Sequence, residues 1–161
     1  MRYVAFSLDQ VHVEEGGTPV WERDPSERGS GVRALCFGIA VRDHHPERFL
    51  DAHLELFAAR HDRGGRLVDP AVLRDAVARV GLDPDEIEQL ADRPETLATL
   101  AREHTEMVDR YDVFGVPTFV EGDEAVFVRF MERGNVADLR RALDLLQWSD
   151  LNEFKRTRIP R

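Results

Sequence analysis

At 161 residues the chain is long enough to bury a core of its own, which sets the expectation at one domain, or one domain with a sizeable insertion. Hydrophobic residues make up 42% and charged residues 33% of it, and no apolar run reaches the length of a helical membrane span, so neither a membrane partner nor a need for staples is expected. The formal net charge of -9 argues against nucleic acid as a partner, because phosphate binding depends on clustered cations. The one such cluster, Lys155-Arg156-Thr157-Arg158 with Arg161, reads as a solvated terminus. The start, Met1-Arg2-Tyr3-Val4-Ala5-Phe6, passes straight into polar residues without a leader-like apolar stretch, so the expected compartment is cytoplasmic.

Residues 2–11 set Val4, Phe6 and Leu8 against Tyr3, Ala5 and Ser7, the period-two pattern of a strand with one buried face. Residues 14–30 carry Gly16-Gly17, Pro19 and Pro25 with little periodicity and read as a loop that Trp21 pins down. From Ser30 the period becomes helical: Val32, Leu35, Cys36 and Ile39 share one stripe. Pro46 suits the first turn of a second helix whose expected apolar face is Leu50, Leu54 and Phe57, ended by Gly64-Gly65. Asp69-Pro70 and Asp83-Pro84 repeat one start signal, an aspartate cap followed by proline, with Gly81 as the stop between them. A longer helix runs from near Pro94 toward Tyr111.

Phe114-Gly115-Val116-Pro117-Thr118-Phe119-Val120 asks for an unusual backbone and a buried strand together. Gly115 is free of β-carbon sterics, and Pro117 fixes φ and donates no hydrogen bond, so the strand enters its sheet at an end. The residues alone leave the Val116-Pro117 bond open to cis or trans, with trans the commoner state of X-Pro bonds. Residues 118–120 and 125–131 then read as two strands joined by Glu121-Gly122-Asp123-Glu124 into an antiparallel hairpin. Gly134-Asn135 breaks and caps the last helix, with Val136, Leu139, Ala142, Leu143 and Leu146 on its apolar face.

Among groups able to do chemistry, Cys36 is the single thiol, and its place on an apolar stripe assigns it to packing over catalysis. No intrachain disulfide and no Cys-x-x-Cys pair exists within these residues. His12, His44, His45, His53, His61 and His104 make no i,i+4 pair with a nearby acidic ligand, so no metal and no cofactor is expected.

The order of strand, helical block, glycine-valine-proline loop, hairpin and helix resembles the DsbA-like branch of the thioredoxin fold, the bacterial DsbA/FrnE-type oxidoreductases. The residues carrying the likeness are Phe6-Ser7-Leu8, Gly81-Leu82-Asp83, above all Phe114-Gly115-Val116-Pro117-Thr118-Phe119, and the ending Asn152-Glu153-Phe154-Lys155-Arg156-Thr157-Arg158. The resemblance implies an α/β (α+β) architecture: a partial thioredoxin-like domain from residues 1–29 and 113–161 with an inserted helical domain at 30–112. It implies a cis Val116-Pro117 bond and a substrate-binding loop of Gly115, Val116, Pro117 and Thr118, with the backbone of Val116 pairing an extended peptide or protein as an added strand.

The family's first strand and its Cys-x-x-Cys turn have no counterpart here, so the fold is expected to be incomplete and dithiol exchange absent. Exchange needs a thiolate and a second sulfur to resolve the mixed intermediate, and Cys36 alone supplies no such pair. An empty central strand position would leave buried peptide groups unpaired. Closure of the flanking strands, a segment borrowed from a second copy in a homodimer, or residues upstream of Met1 would each remove that cost. The alternative to a family member without redox chemistry is a peptide- or self-binding module built on the proline loop and the exposed sheet.

Overall fold

A computed structural model describes residues 1–128 and 134–148. The chain divides into two compact units, Met1–Thr105 and Glu106–Arg161. The expected strand end at residues 129–131, the basic tail and the family-like ending at Asn152 all lie outside the described residues.

The first unit is helical. α1 (Leu8–Val11), α2 (Ser30–His44), α3 (Phe49–His61), α4 (Pro70–Arg79) and α5 (Pro84–Ala91) follow in order, and α6 (Pro94–Tyr111) begins within it. α2 packs on α5 and α3, and α4 packs on α3 and α5. Phe37, Leu73, Ile87 and Leu100 are fully enclosed where these helices meet. The twin caps form as the sequence predicts: Asp69 accepts from the Ala71 N–H and Asp83 from the Asp85 N–H, each with proline at the first helical position. Gly81, at φ 79°, takes the left-handed conformation between the two helices, where a β-carbon would be strained.

Two sequence-based expectations for this unit are overturned. Residues 1–7 pair in no sheet among the described residues, and Leu8–Val11 is a helical turn capped by Ser7. The buried residues are the consecutive Ala5, Phe6 and Ser7, while Leu8 is exposed, so the alternation of a strand face is not used. On α3 the buried residues are Ala52, Leu56 and Ala59, whereas the expected face of Leu50, Leu54 and Phe57 is open, each more than half exposed. Two apolar stripes compete on this helix, and the one rich in alanine permits the closer approach to its neighbours.

The second unit carries the hairpin. β1 (Thr118–Glu121) pairs antiparallel with β2 (Glu124–Phe127), with Thr118 opposite Phe127 and Glu121 opposite Glu124. Gly122, at φ 63°, makes the turn. α7 (Val136–Asp144) is capped by Asn135, whose side chain accepts from the Asp138 N–H. It buries Ala142 and leads into a 3-10 turn that buries Leu146; Val136, expected on the inner face, is exposed. Among the described residues the sheet has these two strands.

Candidate functional site

The loop before β1 is positioned by its own hairpin. The Val116-Pro117 bond is cis. The Thr118 hydroxyl donates to the Gly115 carbonyl at 2.7 Å, and the Val128 N–H donates to the Pro117 carbonyl at 3.0 Å. Gly115 keeps a negative-side φ, contrary to the special dihedral expected of it; its requirement is room. A β-carbon there would stand 3.2 Å from the Phe127 ring, tight enough that the ring would have to move. Phe127 in turn lies 5.1 Å, centroid to centroid, from Phe114.

The loop therefore presents Phe114, 66% exposed, and Val116, 44% exposed, above a backbone fixed from below. Neither the N–H nor the C=O of Val116 has a hydrogen-bond partner among the described residues. Adjacent to a cis proline and held by Thr118 and Phe127, that pair of groups has the chemistry of a short open strand edge. Gly115, Val116, Pro117 and Thr118 are thus together in one loop, and Phe114 forms an aromatic border with Phe127, which the sequence did not single out. Phe127 sits across the hairpin, a relation visible only once the register is known.

Cys36, on α2 of the first unit, is 5% exposed. Burial pushes its pKa up to about 11, and nearby Arg28 and Arg33 pull only partly the other way. Near neutral pH its thiolate fraction is then about one in ten thousand, the reverse of an activated nucleophile. Among the described residues no three His, Cys, Asp or Glu side chains cluster as a metal site.

A second polar arrangement, within the first unit, was not anticipated. Glu103 and His104 on α6 are buried, and their side chains take up the backbone of residues 1–7: the Ala5 N–H donates to Glu103 Oε2 at 2.7 Å and the Ser7 N–H to His104 Nδ1 at 3.2 Å. Arg42 of α2 donates to Glu103 Oε2 at 2.8 Å and to the Tyr3 carbonyl at 3.1 Å. Burial would lower the Arg42 pKa, but hydrogen bonds to Asp43 and Glu103 outweigh it and keep the guanidinium charged. The peptide groups that a neighbouring strand would have paired are met instead by side chains. His104 is enclosed by Phe6 and Trp21 at 4.4 and 5.5 Å, and burial lowers its pKa. The signal was present: Thr96, Leu100, Glu103 and His104 share one stripe of α6, and an acid on such a stripe needs a partner.

The helix-rich architecture with its small antiparallel sheet fits the α/β class of thioredoxin-like proteins. The chain matches the family model of the DSBA-like thioredoxin domain over residues 2–144, and it belongs to that family. A comparison with curated proteins finds no match.

Proposed function

We propose that this chain grips an extended polypeptide along the Gly115–Thr118 loop and does not itself exchange dithiols. The family is of the thiol-disulfide oxidoreductase type, and its chemistry needs a thiolate that attacks a disulfide and a second thiol that releases the mixed intermediate. The one sulfhydryl here is enclosed on α2 with its pKa raised, so the binding half of the reaction is kept without the exchanging half. The observation that carries the reading is that the N–H and C=O of exposed Val116 have no partner among the described residues, in a loop already fixed by Thr118 and Phe127. A guest strand would pair those groups and lay an apolar side chain against Phe114.

The test is hydrogen exchange of the Val116 amide with and without reduced, alkylated insulin B chain, an unfolded polypeptide free of disulfides. Protection of Val116 that grows with peptide concentration is the expected result. Exchange unchanged by saturating peptide would reject the reading. Protection that rises with the chain's own concentration, peptide absent, would favour a homodimer formed through the same edge.

A further inference from the structure

Within the first unit, a cleft of about 640 Å³ opens between the segment at residues 2–3, the end of α2, the start of α3 and α6, a size suited to a small ligand or the end of a peptide. Its two sides differ in chemistry. One side is apolar: Tyr3 meets Phe49 in a tilted ring contact at 5.0 Å, and Leu50 on the same side is 52% exposed. The ring contacts continue along α3 through His53 to Phe57, so the apolar surface does not end at the cleft wall.

The other side is charged, and its charges are unequally spent. Glu103 and Asp43 are both engaged by Arg42. Arg102 reaches only the Thr99 hydroxyl, at 3.4 Å, and makes no ion pair among the described residues. Arg2 stands 3.9 Å from the already occupied Glu103. Two guanidinium groups therefore face the cleft with donors to spare, in a protein whose net charge is -9. Their planar forks match a carboxylate.

We propose that this cleft binds a carboxylate carried on an apolar body, the acid against Arg102 and Arg2 and the body on Tyr3 and Leu50. Such a group is found on a free aromatic or aliphatic acid and at the C-terminus of a polypeptide ending in an apolar residue. The cleft belongs to the first unit and the Val116 loop to the second, and the test of the cleft does not depend on that loop.

Amide chemical shifts of the full chain are followed during titration with N-acetylphenylalanine, with its neutral amide, and with the tetrapeptide Ac-Ala-Ala-Ala-Phe bearing a free carboxylate. Both acids are expected to shift Tyr3, Leu50 and Arg102, with dissociation constants on the order of millimolar for ligands this small, and the neutral amide to shift none. Tighter binding of the tetrapeptide assigns the site to a polypeptide end, and equal binding assigns it to a free acid. Arg102→Gln and Leu50→Gln, both at exposed positions, should each weaken the acids about tenfold or more. Shifts produced equally by the neutral amide, affinity untouched by Arg102→Gln, or no shifts at all would overturn the proposal.

Discussion

On α6, Glu103 occupies a position that the helical period gives to the buried face, and its carboxylate is 4% exposed between a peptide N–H and a guanidinium. Removing one partner of such a buried pair is costlier than the pair is stabilising, because a desolvated charge is left alone. Arg42→Met keeps the aliphatic stem and deletes the counter-charge, and should lose about 3–5 kcal/mol in urea unfolding. Glu103→Gln still offers an oxygen to the Ala5 N–H and should lose less. The opposite order would mean that the Arg42 contact does not hold this corner. Next to it, His104 accepts from the Ser7 N–H and must be neutral to do so. Its folded pKa lies below the ordinary value of about 6.5, so the unfolded chain binds the proton first as pH falls. The contribution is full above about 6.5 and declines as pH drops below it. His53, also lowered by burial, adds a slope of the same sign. Unfolding midpoints at pH 7.5 and 5.0 should differ more for the parent than for His104→Gln, and an equal difference would assign the acid sensitivity elsewhere.

At the scale of elements, local signals did the most where they act over three or four residues. The aspartate caps before Pro70 and Pro84, the left-handed Gly81 and the turn at Gly122 are all short-range chemistry, and all were legible. Asp83→Ala should cost about 1 kcal/mol in thermal or urea unfolding, as expected of a lost cap, with Asp69→Ala as the matched second measurement; no change at either would deny the caps any energetic role. What was not legible depends on distant partners. Val4, Phe6 and Leu8 carry a strand's alternation, yet the donors of that segment are satisfied by residues 97 and 98 positions away, which no local pattern encodes. On α3, Leu50, Leu54 and Phe57 make a broader apolar stripe than Ala52, Leu56 and Ala59, and the helix nonetheless buries the latter. Periodicity finds the stripes but cannot say which neighbour arrives. The candidate loop divides the same way: residues 114–118 announced themselves, while the ring of Phe127 that a β-carbon at 115 would crowd comes from across the hairpin.

At the scale of the whole molecule, a domain of a redox family carries a single thiol within these residues. The match over residues 2–144 places the chain among the DSBA-like thioredoxin domains, and we propose that its Val116 loop holds polypeptide. Within the 161 residues there is one cysteine, enclosed on a helix and poorly ionised. The central claim is therefore that this chain binds but does not exchange. It is tested most directly by insulin reduction in the presence of dithiothreitol, followed as the turbidity of the released B chain. The rate with this protein should equal that of dithiothreitol alone and be the same for Cys36→Ser, whereas an acceleration that Cys36→Ser abolishes would contradict the account.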